Sequence, residues 1–305
     1  MTIDPLEELR SLIVRHARSD VSAVAGIPNL LLGTRSGPTA PCQIVVEPVF
    51  SLVAQGIKRV DMGSQSFEYR AGQFLIVSVD LPVDASVAQA TPEHPYLGCG
   101  LTLRPEAIAS LLLEAGGPRA FADDWPGIVV GDASNDLIGS VVRLLKLLDR
   151  PADVPILAPA IEREVLWRLL SGPQGAMLRQ IGLTDSRMSQ VGRAVRWLRG
   201  HFAETIRVEE LADIACMSVT SLHRHFRQIT SLTPIQYQKQ LRLQEARARL
   251  MGGKEDVAEV ALAVGYDSPS QFSREYRRMF GKPPGRDGAD LRSEPSAIPP
   301  TLRVV

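Results

Sequence analysis

Within residues 186–281, a stretch with no strand candidate, the sequence repeats itself at an offset of 50 residues, and the register holds across two helices. Ile214 matches Val264, Leu222 matches Phe272, Phe226 matches Tyr276 and Ile229 matches Met279. The polar positions repeat with them: Ser218 and Ser268, Ser221 and Gln271, Arg224 and Arg274, Arg227 and Arg277. Each copy reads as helix, turn, helix. The first spans residues 208–216, a turn at 217–218, then 219–230; the second spans 257–264, a turn at 265–267, then 268–280. Gly265 suits a left-handed turn position. Ser268 with Gln271 three residues on spells a capping box, and Pro269 takes the first helical position.

Helix phase, at about 100° per residue, then sorts the second helix of each copy into an inner and an outer face. Leu222, Phe226 and Ile229 fall together and must pack inward, leaving Thr220, Arg224 and Arg227 outside, with His223 and Gln228 at the edges. The second copy packs Phe272, Tyr276 and Met279 and presents Ser270, Ser273, Arg274, Arg277 and Arg278. One basic helix face is ordinarily just a solvated surface. Two of them, matched on like scaffolds, are what two insertions into a DNA major groove require.

Charge agrees once it is resolved along the chain. The 305 residues carry no net charge, but residues 186–285 hold 16 basic and 10 acidic side chains, leaving −6 on the remainder. A basic block beside an acidic domain is the footprint of a modular nucleic-acid binder. The length implies about two domains. A composition of 45% hydrophobic and 22% charged residues is that of a globular protein with real cores. Three cysteines, Cys42, Cys99 and Cys216, are too few and too scattered for a disulfide framework or a four-cysteine zinc site. No run reaches the ~18 apolar residues of a membrane helix. Asp4, Glu7 and Glu8 argue against a signal peptide at residues 1–10. The expected location is cytoplasmic.

Upstream of the repeat the pattern is different. Residues 42–104 read as short β-strands separated by Gly56, Gly63, Gly72 and Pro82, at the spacing of a small barrel or sandwich. From Pro105 onward the periodicity is helical. Leu137, Val141, Leu144, Leu145 and Leu148 stripe one helix over 136–149. Leu157, Ile161, Val165, Leu166 and Leu169 stripe a second over 155–170, and the short linker between them predicts antiparallel packing. The leucine stripes exceed what one small barrel needs, which points to a homodimer interface on this hairpin. The tail from Pro283 is rich in prolines, glycines and serines, and its last dozen residues, 291–305 at the widest, are expected to be disordered.

The residues quoted above carry a resemblance. Val208-Glu-Glu-Leu-Ala-Asp-Ile-Ala, Ser221-Leu-His-Arg-His-Phe-Arg, Thr233-Pro-Ile-Gln-Tyr and Val264-Gly-Tyr-Asp-Ser-Pro-Ser-Gln-Phe-Ser-Arg resemble, in this order, the DNA-binding domain of AraC/XylS transcription regulators. Phe50-Ser-Leu-Val-Ala-Gln-Gly, Pro95-Tyr-Leu and Leu157-Ala-Pro-Ala-Ile-Glu-Arg resemble the AraC-type N-terminal domain. The resemblance implies an α+β chain of two domains. Residues 1–182 form a cupin-like β-barrel with a helical hairpin. Residues 183–290 form an all-α domain whose two helix-turn-helix units are joined by a long helix at about 234–251, and 291–305 are a tail. It implies recognition helices about one DNA turn apart. By position, Thr220, His223 and Arg224, then Ser270, Ser273 and Arg274, become base-reading candidates. Arg227, Arg277 and Arg278 become phosphate contacts, which position without specifying. One motif departs: the family usually closes with Pro-x-x-Tyr-Arg, whereas Pro283-Pro-Gly-Arg-Asp stands here.

Catalytic readings fare poorly. A metal-dependent cupin enzyme needs clustered histidines, and His16 and His94 alone precede residue 200. His223 and His225, two apart on a helix, diverge by about 200°. No phosphate loop, nucleophile elbow or zinc-protease motif is spelled. No cofactor or metal is expected. Cys99, flanked by glycines and five residues from His94, is the candidate reactive thiol if the barrel senses electrophiles; as a plain strand residue it is a small buried hydrophobe. Cys216, at the end of a helix-turn-helix scaffold helix, reads as core, and Trp167 and Trp197 read as core or interface residues. The expected partners are duplex DNA, an unidentified small-molecule effector, a second copy of the chain and, as a further candidate, RNA polymerase. A cupin-type enzyme fused to a DNA-binding module, or a DNA-binding protein without an effector, are the rival readings.

Overall fold

The computed structural model describes residues 4–17, 22–24, 26–116 and 125–293. After the helix α1 (Pro5–His16) come nine strands: β1 (Ser22–Val24), β2 (Leu30–Arg35), β3 (Cys42–Val46), β4 (Val49–Gln55), β5 (Ile57–Met62), β6 (Gln65–Arg70), β7 (Gln73–Val77), β8 (Leu81–Gln89) and β9 (Tyr96–Thr102). Helix α2 (Pro105–Ala115) precedes one more strand, β10 (Ile128–Asp132). They pair antiparallel in two sheets, ordered β1-β2-β9-β4-β7-β10 and β3-β8-β5-β6.

The sheets face each other. On β5, Lys58, Val60 and Met62 are buried while Arg59 is exposed, the alternation of a half-buried strand. β4 is buried on both faces. Ser51 reaches across to Tyr69 of β6, with 3.0 Å between their hydroxyls, so Val49, Ser51 and Val53 face the interior. Phe50, Leu52 and Ala54 point the other way, where α1 lies over β2, β4 and β9 and Arg10 Nε donates to the Ala54 carbonyl at 2.9 Å. Neither α1 nor β1, β2 and β10 was expected from the sequence. α1 is short and acidic at its start, and β10 follows a helix in a region whose periodicity reads as helical throughout.

Helices α3 (Asn135–Lys146) and α4 (Val154–Ser171) are joined by two short 3-10 turns. They run antiparallel, with ion pairs Arg168–Asp136 at 3.0 Å and Arg143–Glu164 along the seam. The α3 stripe is buried, with α3 packed between α1 and α4. The outer face of α4 is not: Ile156 is 76% and Trp167 45% exposed, and Leu157 is also exposed, so Trp167 is no core residue. α5 (Gly175–Gly182) lies where the sequence suggests only a break, and α6 (Arg187–Gly200) opens the helical block.

The helical block continues with α7 (Val208–Ala215), α8 (Val219–Thr230), α9 (Pro234–Gly252), α10 (Val257–Ala263), α11 (Pro269–Phe280) and α12 (Pro284–Ser293). α12 takes in residues 291–293 of the expected tail; residues 294–305 lie outside the described residues.

Candidate nucleic-acid interface

Each helix-turn-helix unit is set by its turn. α7 ends in Cys216, which takes the left-handed conformation at φ 53°, and the Met217 amide closes back on the Ala212 carbonyl at 2.9 Å. Ser218 then caps α8 by accepting from the Ser221 amide. In the second unit the left-handed residue is Gly265, at φ 87°, and the Tyr266 amide closes on Ala261 at 2.9 Å. A side chain on Gly265 would also collide with the Ala203 carbonyl. Ser268 caps α11 through the Gln271 amide, but the reciprocal half of the expected capping box is missing, because the Gln271 side chain turns to Glu275.

These turns correct the repeat. Leu211, Ala212 and Ala215 are buried on α7, and Val260, Ala261 and Val264 on α10, an offset of 49. Leu222 and Phe226 match Phe272 and Tyr276 at an offset of 50. The second turn holds one extra residue. The partner of Val264 is thus Ala215, not Ile214. Cys216 is likewise not core: it is exposed, since it occupies the turn position where the chain must leave the helix.

The inner faces are as the phase predicts: Leu222, Phe226, Phe272 and Tyr276 are fully buried, and Met279 partly so. Thr220, His223, Arg224 and Arg227 are exposed on α8. Ser270, Arg274, Arg277 and Arg278 are exposed on α11, and Ser273 is half-buried. Arg224 lies against its buried neighbour His225, Nη2 to Nε2 at 3.0 Å. Among the described residues, no ion pair or side-chain hydrogen bond engages Arg227, Arg274, Arg277 or Arg278.

The cations of the bridging helix α9 behave in the opposite way. Arg242 donates to the carbonyls of Phe202 at 2.7 Å and Gly265 at 2.8 Å, and burial pushes its pKa down. Lys239 pairs with Glu275 at 2.9 Å, Arg249 with Glu245 at 3.0 Å, and Arg247 with the buried Asp287 at 2.9 Å. Asp287 stands on α12 within the segment that departs from the closing motif, and the Tyr276 hydroxyl also donates to it at 2.8 Å. The helix α12 formed by this departing segment braces α9 and α11.

The helical block is tied to the barrel. Arg199 of α6 pairs with the buried Asp80, and the buried Tyr237 of α9 donates its hydroxyl to the Asp80 carbonyl at 2.8 Å. Burial raises the Asp80 pKa, although Arg199 pulls it down. Nothing in the sequence singles out these three residues, because each is an ordinary polar residue until the domains meet.

The sensor pair expected in the barrel is not assembled. Cys99 is 1% exposed and pairs in register with Leu32 and Leu52, on the sheet face covered by α1 rather than the interior. Burial pushes its thiol up to about 12, away from the thiolate that reactivity requires. His94 lies exposed in the turn before β9, its amide on the Thr91 hydroxyl at 3.0 Å. Among the described residues, no group of three or more His, Cys, Asp or Glu could hold a metal ion, and no helix is long and apolar enough to cross a membrane.

Known proteins match both parts. The family model for the AraC-type transcriptional regulator N-terminus matches residues 26–177, and a helix-turn-helix domain model matches 211–287. The chain is 32% identical over 156 residues to the transcriptional activator RhaS of Escherichia fergusonii, and 35% identical over 161 residues to RhaS of Salmonella arizonae. The matches cover 49% and 52% of this chain and 55% of either relative, so the chain spans about half the length of the curated relatives it matches. The fold is shared with ToxT from Vibrio cholerae at a TM-score of 0.57, with 8% identity over 86% of this chain and 98% of that one. With the AraC-type N-terminal signature followed by the helix-turn-helix signature in one chain, the protein belongs to the AraC family of transcription regulators.

Proposed function

We propose that the chain is a sequence-specific DNA-binding transcription regulator, and not an enzyme, whose barrel responds to a small molecule. The observation that carries this reading is the contrast among cations in one domain. The arginines of α9 are engaged within the protein, whereas Arg227, Arg274, Arg277 and Arg278 stand exposed on two like helices with no ion pair or side-chain hydrogen bond among the described residues. Desolvated phosphates and base edges are what such arginines complement. Thr220, His223, Arg224, Ser270, Ser273 and Arg274 are the base readers in this reading, and Arg227, Arg277 and Arg278 hold phosphates. The ties of Arg199 and Tyr237 to Asp80 give the barrel a route to the DNA-binding block. The bare apolar face of α4 supports a homodimer contact. RNA polymerase is the partner a promoter-bound activator such as RhaS would meet, and the cytoplasm is where such a regulator works.

The test is duplex binding by the full chain as a function of salt. Counterion release from several phosphates requires a steep linear fall of log K with log salt. A flat plot, or no binding at low salt, overturns the reading.

A further inference from the structure

The barrel interior holds a charge that the protein itself does not neutralise. Lys58 of β5 is 5% exposed, with its side chain on the inner face beside Val60 and Met62. Among the described residues it forms no ion pair. The charged group acting on it is Arg35, a like charge at the end of β2. Burying an ammonium without a counter-charge is among the more expensive things a fold can do. The pKa responds accordingly: burial first, then Arg35, brings Lys58 down to about 7.

A second unsatisfied group lies beside it. The Lys58 Nζ sits 5.7 Å from the ring centre of Tyr96 on β9, which is 1% exposed. The Tyr96 hydroxyl is buried with no hydrogen-bond partner. Its ring lies along its own strand over Gly98, where a Cβ would collide with the hydroxyl oxygen. Lys58 pairs in register with Tyr69, whose hydroxyl is already matched to Ser51 at 3.0 Å. The inventory is thus unbalanced toward donors: three ammonium protons and one phenol proton, with the nearby hydroxyl pair satisfying itself. Native interiors rarely leave such groups orphaned, and an unmodified deficit of acceptors describes the missing partner.

That partner is anionic. A cation is repelled by Lys58 and Arg35, and an apolar guest leaves both donors as they were. The walls around the donors, Val60, Val87 and Val53, are aliphatic. We propose that the barrel interior between Lys58 and Tyr96 is a binding site for a monoanionic aliphatic carboxylate, which accepts from the Lys58 ammonium and the Tyr96 hydroxyl. This deepens the functional reading above by giving the effector a chemical class, and rests on it for the consequence on DNA alone.

The experiment is calorimetric titration of the full chain with acetate, isovalerate and cyclohexanecarboxylate, each beside its neutral amide. At least one acid is expected to bind, and its amide to bind about tenfold more weakly or not at all. Lys58→Met should reduce affinity for that acid about tenfold or more, and Tyr96→Phe several-fold. Neither variant should melt below wild type without ligand, because each removes an unsatisfied group and keeps the packing. If all three acids bind no better than their amides, or the acid binds both variants as it binds wild type, the proposal is overturned. A drop in unliganded melting temperature for both variants also overturns it, since the two groups would then be structural. DNA affinity measured in the same samples reports separately on the regulator reading: an acid that binds and leaves DNA binding unchanged keeps the site and removes the sensing role.

Discussion

The two helix-turn-helix units share a packed face and a cap, yet they are held by different means. The first has no core of its own: Leu211, Ala215, Leu222, Phe226 and Tyr237 belong to a hydrophobic cluster continuous with the barrel. The second closes a separate small cluster from Leu243, Ala246, Leu250, Val260, Ala261, Val264, Tyr266, Phe272 and Tyr276. A core of that size is marginal alone. It is supplemented by polar ties, Tyr276 and Arg247 to Asp287 and Tyr266 and Lys239 to Glu275, whereas Arg193 of α6 ties the first unit through the Ile214 and Ala215 carbonyls. The repeat thus governs what each unit presents to DNA, and the surroundings govern what each unit moves with. A perturbation of the barrel is therefore expected to reach the first unit through packing and the second through α9.

The strongest way to break this comparison is to empty one site in each core. Phe272→Ala should cost about 3–5 kcal/mol and Leu222→Ala about 2–5 kcal/mol, as large-to-small changes at fully buried positions. The distribution should differ. Hydrogen exchange after Phe272→Ala is expected to lose protection in α10–α12 alone, with the barrel amides unchanged. Leu222→Ala should spread its loss from α7 and α8 into the barrel strands. Identical exchange patterns in the two variants would mean that the cores are one.

At the level of recognition the units should behave alike. Arg224→Ala and Arg274→Ala are each expected to cost about 1–3 kcal/mol on a cognate site, at base positions about one helical turn apart. Arg277→Ala should weaken cognate and random duplexes similarly and lower the salt slope by about one unit. A footprint with a single protected half-turn, or equal loss of all three variants on random DNA, would restrict reading to one unit.

Much of this was legible in the sequence, and the failures have physical causes. Helix periodicity placed α8 and α11 within one residue, because both faces of an exposed helix differ sharply in polarity. The one-residue insertion in the second turn was hidden, since a matching offset of 50 looks convincing wherever small apolar residues alternate, as Ile214, Ala215 and Val264 do. β2 escapes notice because a strand buried on both faces lacks alternation, and β10 because it is a half-buried strand in a region whose periodicity reads as helical. For Cys99 the two readings part here: flanking glycines suggest access, but strand register puts its side chain under α1, as the plain buried strand residue requires. Lys58, Tyr96 and the Asp80 tie could not be found from spacing, because their significance lies in what faces them from strands and helices far away in sequence.

The smallest effect sharpens the comparison at the turns. The first unit places a cysteine where the second places a glycine in the left-handed conformation, Cys216 at φ 53° and Gly265 at φ 87°. A non-glycine residue there costs roughly 1–2 kcal/mol, and glycine loses about 0.5–1 kcal/mol more entropy on folding. The Cys216 side chain is exposed, so its removal forfeits little packing. Cys216→Gly should therefore raise stability by about 0.5–1 kcal/mol, measurable as a small rise in the denaturant midpoint at unchanged slope. Gly265→Ala should go the other way and further, because a side chain there meets both the left-handed backbone and the Ala203 carbonyl. The same exposure makes Cys216 the first thiol to label under limited alkylation of the native protein, ahead of the half-buried Cys42 and well ahead of Cys99. A destabilised Cys216→Gly would show that the thiol has a partner in solution, and the two turns would then differ in kind rather than in strain.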